Sequence, residues 1–458
     1  MVLICVLLSV FALSAGVFAD ESVPTAWNGS VDTSWYNADK TEFEISTPEQ
    51  LAGVAAIANG TAEGIAKNNF TGKTVTLTAD LDLGAVKKAD GTWDTEKSKN
   101  WVPIGKFGSN FNGTFESNSH TITNMYMDYT VNVVGLFGLV SSEGSVKHVI
   151  VKDGFIEHGK ANVGANAGSC SSGIIDSCAN LNVEVYGDSY NIGGVVGNAS
   201  NNCAVWNCYN TAKVFGVRKV GGVAGSVTHD KVSAFSIVNC YNTGEISATV
   251  TGAVGGMVGT LNYNAGNTIP YIVTDCSAAV SVNGSTAGGL VGSASAGSQS
   301  TTQQSIYGNY ELRNCFANCT VQGNTIAGGL IGVSNILHTG WIHNNYTAST
   351  VSASGGTKVG GFAGDTGSDG ISTKPLNQHF ENNVVLVEGL NGVMTEGYFP
   401  GRFAGIKNNA EKDITTKFRN NYVLDSMTIF GSAFDGKDGD NYNGTGRSKA
   451  DLAKESTW

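Results

Sequence analysis

The sequence predicts an all-β protein: a parallel β-helix (β-solenoid) with a short N-terminal capping helix. Three observations predict it. A glycine-punctuated apolar pentad recurs along the 458 residues, as in Gly288-Gly289-Leu290-Val291-Gly292. A second column, an apolar residue followed two positions later by asparagine, runs in phase with it. The composition, with 61 Gly, only 6 Pro and 14% charged residues, suits many short strands joined by turns. It is too apolar, at 41%, for disorder, and it lacks the Gly-X-Y period of collagen.

Taken in order, the chain begins with an apolar run from Val2 to Ala19 that ends in the small-residue pattern Val17-Phe18-Ala19. This reads as a signal peptide over 1–19, with a single membrane anchor as the alternative. No other segment is long and apolar enough to span a bilayer, so no membrane span is expected in the mature chain. Residues 20–130 form the N-terminal cap and irregular first coils. Within them, 45–60 is the one convincing helix. Thr47 is placed at the N-cap, Pro48 at N1 and Gln50 in a capping box, with Asn59-Gly60 as the stop. Its stripe of Leu51, Val54, Ala55 and Ala58 is expected to cover the open edge of the first coil. Strands are expected at 73–83 and 120–127.

Residues 131–430 hold the repeats. Aligned pentads start at Val134, Val163, Gly193, Gly221, Gly255, Gly288, Gly328, Gly360 and Gly401, in steps of 28 to 41 residues. The second column is led by Ile175, Val205, Ile237, Val273, Leu312, Ile342, Phe380 and Phe418. Ser177, Asn207, Asn239, Asp275, Asn314, Asn344, Asn382 and Asn420 stand two positions later. Cys178, Cys208, Cys240, Cys276 and Cys315 follow, then Asn345, Asn383 and Asn421. Val146-Lys147-His148-Val149 is a divergent first copy. Such a unit cannot bury its own apolar face but can when stacked on a copy of itself, each coil displaced by about 4.8 Å. Asparagine then serves a sharp left-handed turn, and its amide can form a ladder along the stack. In the pentad, glycines at the first and last positions are expected to leave room for an inward Leu290. Residues 431–458 form a C-terminal segment that reads as truncated.

These residues resemble the GLUG motif, named for its Gly-Leu-any-Gly core, of bacterial and archaeal surface proteins; the motif also occurs beside IgA-peptidase-type metallopeptidases. The resemblance includes the leader phrases FEISTPEQLAGVAAIANG, GKTVTLTADLDL, WVPIG and FNGTFESNSHTITNM. It covers roughly residues 43–458. Glu116, Ser117 and Ser119 replace an acid and two glycines of the usual pattern, which implies a rebuilt turn. Membership implies a repetitive extracellular β-solenoid and little about chemistry.

Candidate chemistry is sparse. The net charge of −11 and the scattered Lys and Arg exclude a phosphate-binding stripe, so nucleic acid is not expected as a partner. No CxxC occurs, so the eight cysteines after the leader are read either as reduced inward fillers or as partly bridged, with Cys170 and Cys203 the foremost pair. His120, His148, His158, His229, His338, His343 and His379 contain no HExxH and read as turn or surface residues. Asp80 and Asp82 share one strand face, and carboxylates so placed serve acid–base chemistry in some enzymes. Here they read first as a solvated coil. Asp435, Asp438, Asp440 and Asn443 resemble a calcium loop in composition but not in spacing. Tyr209, Tyr241, Phe316, Tyr346 and Tyr422 read as an aromatic ladder, or as a stripe that stacks on sugars.

The expected function is a secreted or cell-surface, non-catalytic adhesion or interaction scaffold, with no catalytic residues, cofactor or metal. Its partner would be a protein or glycan of a host or neighbouring cell, met through the insertions 261–272, 293–310 and 365–379. The alternatives are a carbohydrate-active β-helix enzyme using Asp80 and Asp82, or a non-catalytic portion of a larger surface peptidase.

Overall fold

A computed structural model describes residues 24–454, apart from 230–235, 250–251, 264–270, 297–308, 336–338, 356–357, 367–377, 394–397, 408–416, 435–438 and 440. The chain is a parallel β-solenoid. One sheet stacks twelve parallel strands, from Glu42–Ile45 through Ser145–Lys147 and Asn309–Arg313 to Lys417–Arg419. A second stacks eight, from Phe137–Ser141 to Ala363–Asp365. The third wraps the remaining perimeter, and its longest strands, Ile150–Gly164 and Ala179–Gly193, run through a corner of the coil. One apolar core runs continuously from Trp27 to Leu452.

Register explains the columns. Val146, Ile175, Val205, Ile237, Val273, Leu312, Ile342, Phe380 and Phe418 pair in sequence along the first sheet. All but Phe418, which is half-buried, are fully buried. The residue two positions on turns the corner with φ between 52° and 56° at Ser177, Asn207, Asn239, Asp275, Asn314, Asn344, Asn382 and Asn420. His148 takes the same conformation in the divergent first copy. Short polar side chains tolerate this left-handed region at lower cost than most. The expected amide ladder forms there. Asn207 Nδ2 donates to Asp176 Oδ1 at 2.9 Å, and Asn239 Nδ2 to Asn207 Oδ1 at 2.8 Å. Because the corner bends the chain, the apolar residue and the cysteine three positions later both point inward.

The cysteine column does more than fill space. Cys208, Cys240, Cys276 and Cys315 each direct Sγ–H at the carbonyl of the inward apolar residue one coil earlier, namely Ile175, Val205, Ile237 and Val273. Asn345, Asn383 and Asn421 donate through Nδ2 to the equivalent carbonyls of Leu312, Ile342 and Phe380. The acceptor role is shared as well. Cys208 N donates to Cys240 Sγ at 3.3 Å, and Cys315 N to Asn345 Oδ1 at 2.9 Å. Thiol and amide interchange because both donate backwards and accept forwards at one buried position.

All eight described cysteines are free and buried. Burial pushes the thiols of Cys178, Cys203, Cys240 and Cys315 well above their ordinary value and that of Cys319 up to about 12. Thiolate is the reactive species. Because all eight are closed off from solvent, the folded protein, leader removed, is expected to resist alkylation by iodoacetamide, and all eight thiols are expected to react in denaturant without reductant. Mass spectrometry of the alkylated chain checks this, and a deficit of two would reveal a bridge.

The pentads hold two surprises. Val134 pairs with Val163, and Val163 with Ile192, so Gly135 and Gly164, rather than Val134 and Val163, align with Gly193 and its successors. The first two sequence alignments were one residue out of register, because those copies keep only part of the glycine pattern. Leu290 is inward, as expected, and fully buried. The glycines beside it, however, are small for the sake of backbone. A Cβ on Gly288 would overlap the carbonyl of Val291, and one on Gly289 would overlap the Gly329 carbonyl of the next coil. None of the pentad glycines has a positive φ. Asparagine takes the left-handed corners here, and glycine takes the close approaches. The second glycine also meets a buried column opposite: Gly194 faces Asn210, Gly222 faces Asn242, and Gly289 faces Ala317.

At the N-terminus, the helix spans Pro48–Asn59, with Gln50 N donating to Thr47 Oγ1 and Gly60 at φ 70°. The Gln50 side chain accepts from Ser46 N at 2.8 Å. The helix covers the first coil but is itself covered. Asp32 N donates to Glu49 O, and a side chain at Gly53 would overlap the Asp32 carbonyl. Buried positions therefore surround most of it rather than one stripe. The rebuilt turn at Ser117–Ser119 carries two successive left-handed residues, Asn118 and Ser119, braced by Asn118 N donating to Glu116 Oε1.

Candidate functional site

Outward side chains also form columns, and their chemistry changes along the solenoid. On the first sheet, one outward column runs Ala204, Ser236, Ile272, Glu311, Trp341 and His379. The parallel column runs Trp206, Val238, Thr274, Arg313, His343, Glu381 and Arg419. Small and apolar residues thus give way to a charged and aromatic group drawn from four successive coils.

Glu311 Oε1 sits at the centre of that group. It accepts from Arg313 Nη1 at 3.1 Å on its own strand and lies 2.8 Å from His343 Nε2 on the next. Arg313 Nε also donates to Thr274 Oγ1 one coil earlier. Trp341, 41% exposed, stacks on the buried imidazole of His379, with ring centroids 4.0 Å apart and planes within 12°. His379 Nδ1 lies 3.8 Å from Glu381 Oε1. Trp206, half-buried, donates from its indole to Ser236 Oγ at 2.7 Å. Beneath the sheet, Tyr310, Ser334 and Gln378 form a buried network: Tyr310 Oη to Ser334 Oγ is 2.9 Å, and Ser334 Oγ donates to Gln378 Oε1 at 2.8 Å. Gly340 leaves room for the Tyr310 ring. The strands bearing Glu311 and His379 begin at the ends of the insertions 293–310 and 365–379, most of which fall outside the described residues.

The sequence-predicted positions lie elsewhere. Asp80 and Asp82 do share an outward face, flanked by buried Leu81 and Leu83. Both are committed to turns. Asp80 Oδ1 accepts from Thr121 N and lies 3.1 Å from His120 Nδ1, while Asp82 Oδ1 accepts from Gly84 N and Asn124 Nδ2. The histidines form a pattern that spacing did not reveal: His120, His148, His158 and His343 each meet a carboxylate of an earlier coil, at Asp80, Glu116, Asp128 and Glu311. His379 is buried in a strand rather than at a turn or surface. Side chains of His229 and His338 fall outside the described residues, as do Asp435, Asp438 and Asp440. Asn443 is buried, and its backbone N–H donates to Asn441 Oδ1.

The aromatic column appears as two ring pairs, Tyr209–Tyr241 tilted at 4.6 Å and Phe316–Tyr346 stacked at 4.9 Å, separated in register by Ser277. A second ladder was not anticipated: Trp93, Phe155, Tyr186 and Phe215 follow one another at 6.5, 5.2 and 5.9 Å. Phe155, Tyr186 and Phe215 are all outward positions of strands whose inward residues are valine or isoleucine, so the period-2 alternation was the available signal.

Near this ladder, Asp128, Glu157 and His158 bring one ligand-type atom each within 4.8 Å of one another. Asp128 and His158 are exposed and Glu157 is half-buried; His158 Nδ1 bonds to Asp128 Oδ1 at 2.9 Å, and Tyr126 Oη donates to Glu157 Oε1 at 2.9 Å. The bond from His158 Nδ1 to Asp128 raises the imidazole pKa above its usual value. A raised folded-state pKa stabilises the fold below the unfolded value near 6.5, and that contribution is lost as pH rises through the folded value. Asp128→Asn is expected to bring the NMR titration midpoint of His158 back toward 6.5.

No helix among the described residues is long and apolar enough to cross a membrane. No protein-family profile matches the chain. It is 28% identical over 172 residues to "Halomucin" of Haloquadratum walsbyi, covering 37% of this chain and 2% of that protein. It is 32% identical over 112 residues to a "Putative Gly-rich membrane protein" of Evansella cellulosilytica, covering 24% of this chain and 12% of that one. The chain thus spans a small fraction of the relatives it matches. A solved structure described as "a putative immunoglobulin A1 protease from Bacteroides ovatus" aligns over 90% of this chain and 85% of that one, at 16% identity and a TM-score of 0.33, a level from which nothing is transferred.

Proposed function

We propose that the chain is a GLUG-type repeat of an exported, surface-displayed protein and serves as a non-catalytic adhesion scaffold. The observation that carries this reading is the twelve-stranded sheet. Its outer face is long and parallel, its rungs are locked by internal ladders, and it presents an exposed indole beside paired charges. Solenoids bind through such extended faces. The in-phase pentads, the asparagine corners and the leader phrases support the family resemblance. The names of the two sequence relatives, a halomucin and a Gly-rich membrane protein, are in keeping with display at a cell surface. Asp80 and Asp82, the best carboxylates for an enzyme, instead hold turns together.

The test presents the full chain to intact cells and to a polysaccharide panel, following both retention and the release of reducing ends. Retention without release is expected. Turnover that Asp82→Asn abolishes would overturn the reading.

A further inference from the structure

We propose that the outer face of the first sheet between Trp206 and Trp341 is a binding site for a neutral polysaccharide lying along the solenoid axis. The inference deepens the adhesion reading and rests on it.

The site is a shelf between two aromatic walls. Trp206 and Trp341 stand four rungs apart, about 19 Å at the usual strand spacing. The two rungs after Trp206 carry Ser236, Val238, Ile272 and Thr274, and the third carries Glu311 and Arg313, whose Nε donates to the buried Thr274 Oγ1. Trp341 is 41% exposed. Its near-parallel overlap with His379, in the next coil, covers one ring face and turns the other toward the rung of Glu311. The Glu311 carboxylate on that rung is engaged by Arg313 and His343. An exposed aromatic ring beside short mixed side chains offers a sugar ring a surface for its C–H side, and tryptophan contributes large contact area with little ordering cost.

Charge decides the class of sugar. Glu311 and Arg313 place an acceptor and a donor side by side as a compensated pair, which matches hydroxyls that both donate and accept. A carboxylated or sulfated chain would need an uncompensated cation at this point, and it would be repelled by a protein of net charge −11. An acidic peptide is disfavoured on the same ground. The parallel rungs repeat at one spacing, so a regular polymer can meet successive rungs in equivalent ways.

Isothermal titration of the full chain with soluble neutral glucans, mannans and xylans, and with polygalacturonate and poly-glutamate, tests the proposal. At least one neutral polysaccharide is expected to bind, with affinity lowered tenfold or more in Trp341→Ala. Val238→Trp, which fills the shelf without touching the Trp341–His379 stack, is expected to weaken binding to the same degree, so a folding defect in one variant cannot mimic the result. Binding of polygalacturonate or poly-glutamate in preference to every neutral polymer would overturn the proposal. So would neutral binding that both variants leave intact. Retention on cells that persists in Trp341→Ala, with no glycan bound by either protein, would sink this site while leaving the adhesion reading standing.

Discussion

Gly289→Ala is expected to open the solenoid locally and to destabilise it by about 3 kcal/mol, the upper part of the range for overpacking a close contact. The added methyl would overlap the Gly329 carbonyl in the next coil and lie 3.0 Å from the Ala317 methyl across the core. Neither partner is a flexible side-chain end. Relief requires the coils to part, which strains the bonds from Leu290 N and Val291 N to Leu330 O. Gly64→Ala is the informative control. That glycine has φ 68° and nothing within 4 Å of an added methyl, so only the left-handed penalty of about 1–2 kcal/mol applies. Because solenoid stability is carried by neighbouring coils, the loss of amide-exchange protection in Gly289→Ala should centre on residues 284–331. Equal destabilisation by the two variants would refute the backbone-contact explanation of the pentad.

Asn383→Leu is expected to cost a similar amount, about 3 kcal/mol, although leucine has the same γ-branched shape. Asn383 Oδ1 accepts from both Asn345 N and Asn345 Nδ2, while its own Nδ2 donates to Ile342 O and Asn421 Oδ1. Leucine would strand buried donors and acceptors on both sides, at about 1–3 kcal/mol for each group left unpaired. Asn383→Cys should be milder. Cysteine fills the same position in five earlier coils, donates to the same class of carbonyl and accepts from the same class of N–H. Urea denaturation of the three proteins gives the order: wild type, then cysteine, then leucine. If leucine matched or exceeded cysteine, volume rather than hydrogen bonding would govern the column.

Much of the architecture is legible in one dimension because the repeat writes local physics over and over. Asn207 and Asn239 mark left-handed corners through their own side-chain chemistry, and Thr47, Pro48 and Gly60 mark a helix by its ends. Such signals depend on residues close in the chain. The role of the pentad glycines is not legible in that way, because Gly289 is shaped by Gly329, forty residues on, and by a column on the far side of the core. The one-residue slip at Val134 and Val163 has the same origin: pairing between coils, not the glycine pattern, sets alignment.

The binding face is harder still to read. Glu311, Trp341 and His379 are separated by unequal intervals, since insertions of different length interrupt each coil. No spacing rule connects them, and histidines at 343 and 379 look isolated in the sequence. By itself, the sequence determined a stacked parallel coil with left-handed asparagine corners and an inward column, because each of those features is a property of a short segment that repeats. Tertiary structure alone decided which glycine meets which carbonyl, why cysteine and asparagine exchange, and that Trp341 lies on His379. Those are matters of lateral register, and lateral register is set by the packing of whole coils.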